Sequence, residues 1–145
     1  VDRVLVIHGL GMNMRGKVKR EVFGSMTLPE YDRQIEEAAR ELRFSAEIVQ
    51  SNFEGEIVNK LYDAAERGLA GAVINPAGFS IGYRGLTVAI EQVGFPVVEV
   101  HVSNPANRGI QSDLSKVCRA TVTGFGVTGY KLALVGLKEV IGPKR

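Results

Sequence analysis

The chain has one cysteine, two histidines, no apolar stretch of membrane-spanning length and no marked excess of either charge. Each shortage closes off a class of function. The lone Cys118 has no partner for an internal disulfide, and no His or second Cys stands near it at metal-ligand spacing. It is expected to be a small buried residue, and no metal site is expected. Eighteen basic and sixteen acidic residues leave a formal charge of +2, too balanced to point to nucleic acid or a membrane as partner. The first residues enter a strand-like run directly, without the charged and apolar regions of a signal peptide, so a soluble, cytoplasmic protein is expected. There is no internal repeat, low-complexity segment or linker. A nucleotide fingerprint is also missing: Gly9 and Gly11 are spaced G-x-G, but Arg15 precedes the next glycine and no G-K-[ST] follows.

What is present is an ordinary core-forming composition, 45% hydrophobic and 23% charged over 145 residues, which suits a single domain spanning 1–145. Short β-branched runs at 3–8, 47–50, 72–75, 97–102 and 120–123 alternate with segments of helical period, the pattern of an α/β fold with a parallel sheet. The first helix is expected at 27–43, with Thr27 as N-cap, Glu30 as its capping-box partner and Pro29 in the first turn. Leu28, Tyr31, Ile35, Ala38, Ala39 and Leu42 form its apolar stripe. Further helices are expected at 54–67, closed by Gly68, at 86–92, and at 127–140. The last is apolar nearly all round, so both faces are expected to be covered, one of them by another subunit. Five parallel strands with helices on both faces predict a flavodoxin-like three-layer sandwich of order 2-1-3-4-5, with ligands bound at the carboxyl ends of the strands.

Those ends carry the chemistry. The first strand delivers His8 and Gly9, the second Gln50, Ser51 and Asn52, the third Asn75, and the fourth His101, Ser103 and Asn104. Two histidines on one rim beside Asn75 favour a polar site able to move protons near neutral pH. Glu99 and His101 are two apart on one strand and share a face, so an anionic Glu99 favours the imidazolium that can protonate a leaving hydroxyl. An ionisable residue within "PVVEVHV" is costly to bury alone, which argues for the pairing. The loop "NPAGFSIGYRG" either offers backbone N–H groups to a carboxylate or is a tight turn.

Taken together, "VLVIHGLGMNM", "FGSMTL", "QSNFEGEIV", "INPAGFS", "PVVEVHVSNPANR" and "GFGVTGYKLAL" resemble, in order and over almost the whole chain, the type II 3-dehydroquinate dehydratases. The resemblance implies a flavodoxin-like fold, a homo-oligomer of trimers packed into a dodecamer, and cofactor-free elimination of water from a small carboxylic acid. In that family a lid Tyr, made acidic by a lid Arg, takes a proton, and a Glu-supported His protonates the departing hydroxyl. Carried over, Asn75 takes the enolate side, Glu99 and His101 the acid pair, and Val102, Ser103 and Arg108 the carboxylate end. Glu54 matches a structural acid of the second helix.

Other family positions differ. Phe23 stands at the lid Tyr, Val18 at the lid Arg, Gly11 at the first-loop Asn and His8 at the first-strand Asn. Ile81, Val88 and Ser112 replace a His, an Asp and an Arg. Phe23 lacks the oxygen that acts as base, a contribution of roughly 100- to 10,000-fold in rate. His8 is the leading candidate for a substitute base, with Tyr83 or a lid cation as others; Tyr83 and Arg84 are also candidate substrate contacts. The lid cations Arg15, Lys17, Lys19 and Arg20 read as a solvated face, with steering of an anionic substrate as the alternative. Two functions stay open: a dehydratase or other proton-transfer enzyme with a changed substrate or base, and a catalytically silent homologue that binds a small carboxylate or serves as an oligomeric structural or regulatory protein.

Overall fold

Alternating branched residues make one five-stranded parallel sheet from β1 (Asp2–Leu10), β2 (Phe44–Gln50), β3 (Gly71–Ala77), β4 (Val97–His101) and β5 (Ala120–Thr123), in the expected order 2-1-3-4-5. The computed structural model describes residues 1–143; the last two residues of the expected 1–145 domain lie outside it. The helices are α1 (Arg20–Phe23), α2 (Leu28–Glu41), α3 (Glu54–Glu66), α4 (Arg84–Gln92) and α5 (Thr128–Ile141).

Strand parity sorts the core into two layers. Val4, Val6, Val73, Val98 and Val100 face α2 and α5, where Tyr31, Ile35, Tyr130 and Leu134 meet them. Leu5, Ile7, Ala72, Ile74 and Val97 face α3 and α4, against Ile57, Leu61, Leu86 and Ile90. The start of α2 is fixed as its sequence predicts: Glu30 Oε1 accepts from the Thr27 backbone N–H at 3.2 Å and from the Thr27 hydroxyl at 2.8 Å. Gly9 is required by packing, because a Cβ there would lie 2.0 Å from the carbonyl oxygen of Pro76. That absent side chain lets β1 and β3 converge at the carboxyl end of the sheet.

One expectation, for Cys118, is corrected, and the structure adds detail at the lid and at α5. A short helix, α1, lies inside the lid, entered through Lys19 at φ 48°. Cys118 is only half-buried. Along α5, Tyr130, Ala133, Leu134 and Leu137 are buried in the chain's own core, and Leu132 and Val135 are exposed on the face expected to meet another subunit. Among the described residues, no helix is long and apolar enough to cross a membrane.

Candidate active site

A cavity of about 620 Å³ opens beyond the carboxyl ends of β1, β3 and β4, beneath the lid that runs from Gly11 to α1. Asn75, His101, Val102, Ser103 and Arg108 line its sheet side, and Arg15, Val18, Lys19, Glu21 and Phe23 its lid side. The lid is tied to the sheet by the "QSN" end of β2: Asn52 Oδ1 accepts from the Gly11 N–H at 2.9 Å and from Gln50 Nε2 at 3.1 Å.

Glu99 and His101 meet as their spacing predicts. His101 Nε2 lies 2.6 Å from Glu99 Oε2, and Glu99 has no solvent exposure. The turn after β4 completes the pair. Ser112 accepts from the Leu114 N–H at 3.2 Å and starts a 3-10 turn, Asp113–Lys116, that carries the Ser115 hydroxyl to 2.7 Å from Glu99 Oε1. Burial pushes the Glu99 carboxyl up, but hydrogen bonds from His101, Ser112 and Ser115 and the charge of His101 outweigh it and hold the carboxyl below its ordinary value. Glu99 is therefore an anion that donates nothing, and His101 must give its Nε2 proton to it. This leaves Nδ1 as the ring nitrogen for the cavity.

At the other end, the turn Pro105–Arg108 folds back so that Arg108 Nη2 donates to Ser103 Oγ at 3.1 Å. Guanidinium, hydroxyl and the Val102–Ser103 backbone thus converge on one patch of wall, a combination suited to a carboxylate.

The other residues singled out from sequence are placed differently. His8 lies on the same rim as His101 but on the opposite sheet face, because it continues the Val4, Val6 row toward α2 and α5. It is fully buried and does not line the cavity. Its Nε2 lies 2.7 Å from Asp32 Oδ1, and its Nδ1 lies 2.9 Å from the Tyr130 hydroxyl. Asn75 Nδ2 donates to that same hydroxyl at 2.9 Å, while Asn75 Oδ1 accepts from the Ala77 N–H at 3.1 Å. Burial pushes the Tyr130 hydroxyl well up, against the opposing Asn75 hydrogen bond, so it stays a neutral phenol. The chain of bonds then has one consistent direction: Asn75 to Tyr130, Tyr130 to His8 Nδ1, and His8 Nε2–H to Asp32. His8 thereby orients Asn75 through Tyr130 and is out of reach of a cavity ligand.

Tyr83 packs edge-on against Phe79 at 4.8 Å, and neither it nor Arg84 lines the cavity. The loop from Asn75 to Gly85 is a tight turn whose amides are largely used internally, as when Phe79 N–H donates to Pro76 and Gly82 N–H to Asp113. Glu54 is structural: its Oε2 accepts from the Leu86 N–H in the first turn of α4. In the lid, Val18 and Phe23 face the cavity, whereas Arg20 does not. Arg15 departs from the expected solvated face, being only 7% exposed, with its guanidinium carbon 3.8 Å above the Phe23 ring. Tyr130, Asp32 and Glu21 were not singled out from sequence. Tyr130 lay within a recognised motif, but its contact with His8 bridges 122 positions of sequence. Among the described residues, no group of three or more His, Cys, Asp or Glu side chains is arranged to hold a metal ion.

Comparison with known proteins finds relatives over nearly the whole chain. The profile of the family described as Dehydroquinase class II matches residues 2–138. A 3-dehydroquinate dehydratase of Caldanaerobacter subterraneus subsp. tengcongensis is 40% identical over 141 residues, 95% of each chain. One from Deinococcus radiodurans is 39% identical, covering 95% of this chain and 99% of its own. The crystal structure of a type II dehydroquinase from Butyrivibrio crossotus superposes with a TM-score of 0.90 at 28% identity, over 94% of this chain and 97% of that one.

Proposed function

We propose, on the premise that the chain belongs to the class II dehydroquinase family, that it is a cofactor-independent hydro-lyase acting on a small hydroxy or keto carboxylic acid. The observation that carries this reading is the buried Glu99–His101 pair, 2.6 Å apart, opening onto a cavity whose sheet-side wall also holds Ser103 and Arg108.

The substrate carboxylate docks on Arg108, the Ser103 hydroxyl and the backbone at Val102 and Ser103. Loss of a proton from the carbon beside a ketone places negative charge on the ketone oxygen, which takes the remaining amide hydrogen of Asn75. As the carbon–oxygen bond to the hydroxyl breaks, its electron pair leaves with the oxygen. A proton from His101 Nδ1 makes that oxygen water, and the electron pair of the lost C–H becomes the new double bond. Glu99 stays ionised throughout and stabilises the charged imidazole. With His8 and Tyr83 outside the cavity and His101 committed as the acid, the Glu21 carboxylate is the group on its wall that takes the proton lost from carbon.

The family resemblance puts the usual base at Phe23 and its arginine at Val18, which supports a substrate or base other than the standard one. The same substitutions favour a second reading, a carboxylate-binding homologue without turnover. A homo-oligomer, a dodecamer built of trimers as the resemblance implies, fits the exposed Leu132 and Val135 of α5. A cytoplasmic location belongs to the same reading.

The test is incubation of purified protein with 3-dehydroquinate, following the enone absorbance of the product. A thermal-shift screen of hydroxy and keto acids runs beside it, on the native chain, His101→Ala and Asn75→Ala. Slow or absent turnover of 3-dehydroquinate with stabilisation by another acid, lost in both variants, is expected. Turnover at an ordinary enzymatic rate would refute the changed-base reading; ligands that bind yet stay unchanged would establish the silent homologue.

A further inference from the structure

Arg15 carries a charge that the fold does not balance. Its side chain lines the cavity and is 93% removed from solvent, yet its Nε has no hydrogen-bond partner. The ion pairs among the described residues join other side chains, and none supplies Arg15 with a carboxylate at bonding distance. Its surroundings are neutral: the Phe23 ring at 3.8 Å, the Tyr31 hydroxyl, which is hydrogen-bonded to the guanidinium, and the Tyr130 hydroxyl. A cation over a ring offsets only part of the cost of desolvating a guanidinium, so a buried arginine is ordinarily held by an anion. Glu21 is the carboxylate on the cavity wall, and Lys19 stands two residues before it on the same wall.

We propose that Arg15 receives a second carboxylate of the ligand, so that the cavity selects small dicarboxylic hydroxy or keto acids over their monocarboxylic counterparts. This rests on the reading of Ser103 and Arg108 as the first carboxylate site. The planar guanidinium fork matches a carboxylate in two-point contact, a match that an ammonium group cannot reproduce. The two arginines reach the cavity from different elements, one from the lid and one from the turn after β4, so a ligand with acid groups at its two ends draws the lid onto the sheet.

Calorimetric titration of the full chain with two matched pairs tests the idea: malate against 3-hydroxybutyrate, and 2-oxoglutarate against levulinate. In each pair a methyl group replaces one carboxylate. At least one diacid is expected to bind about 10- to 100-fold more tightly than its partner, the range of a charge-assisted contact. Arg15→Met should erase that gap and leave the monoacid affinity unchanged. Lys17→Met, at an exposed lid cation outside the cavity, should preserve the gap. If Arg15→Met fails to fold, Arg15→Lys keeps the charge without the fork and should shrink the gap severalfold. Equal binding of mono- and diacids, or a gap untouched by both Arg15 variants, overturns the proposal while the first carboxylate site stands. Failure of all four acids to bind overturns both.

Discussion

Replacing Glu99 with glutamine perturbs the site without changing its volume. In the folded protein the carboxylate accepts from His101 at 2.6 Å, Ser115 at 2.7 Å and Thr121 at 3.4 Å, with no exposure to water. Glutamine has one acceptor oxygen and an NH2 group, so if the oxygen keeps the His101 N–H, the Ser115 hydroxyl must turn to accept from the amide and its own proton loses its acceptor. Two charge-assisted bonds become at best one neutral bond each, a loss of about 1 kcal/mol apiece, and an unsatisfied buried donor adds about 1–2 kcal/mol. Relief of carboxylate desolvation offsets part of this, leaving a net loss of about 2–3 kcal/mol. For a domain of this size that lowers the melting midpoint by roughly 4–12 °C.

The pH dependence gives a second readout. The folded state holds the Glu99 carboxyl below its ordinary value. Its stabilisation is therefore complete above the unfolded carboxylate pKa and is lost as the pH falls through the lower folded one. The native chain should lose stability on acidification below about pH 4, and Glu99→Gln should lose less over the same interval. Thermal unfolding followed by circular dichroism from pH 7 to pH 3 measures both. A variant that melts within about 1 °C of native at pH 7 and shows the same acid-side decline would refute the view of Glu99 as a buried, bonded anion.

Tyr130→Phe removes the hydroxyl shared by His8 and Asn75, leaving two buried polar groups short of a partner; a loss of roughly 2–4 kcal/mol in urea unfolding is expected, with weaker ligand binding as Asn75 loses its orientation. Unchanged binding would show that Asn75 is oriented without the His8 chain. Phe23→Tyr places a phenol oxygen near the Arg15 guanidinium, and turnover of 3-dehydroquinate should rise by roughly 100-fold or more. No increase would mean that a missing lid base is not what limits that reaction. Gly9→Ala drives a methyl into the Pro76 carbonyl and should cost more than about 3 kcal/mol, read as insoluble expression or a sharply lower urea midpoint. A native-like midpoint would show that β1 and β3 can separate there freely.

Local pattern carried much of this. The capping box at Thr27 and Glu30 is written in four consecutive residues, and it forms where expected. The Glu99–His101 contact follows from the two-residue period of a strand, which holds whatever surrounds it. The position of His8 on the rim is a property of the strand end, whereas the layer it faces depends on β1 parity against helices arriving 24 and 122 residues later. The burial of Arg15 is hidden for a similar reason: a loop cation is solvated by default, and only the closing of α1 over it makes it a buried charge.

By itself, then, the sequence determined the alternation of strands and helices, the sheet order, the Glu99–His101 contact and the family, because these rest on short-range periodicity and on motifs kept in register. The tertiary structure alone decided which polar residues share a cavity. That choice depends on side chains from β1, α2 and α5 meeting in one layer and those of the lid meeting the rim in another. Contacts between segments far apart in the chain leave no local trace in composition or spacing.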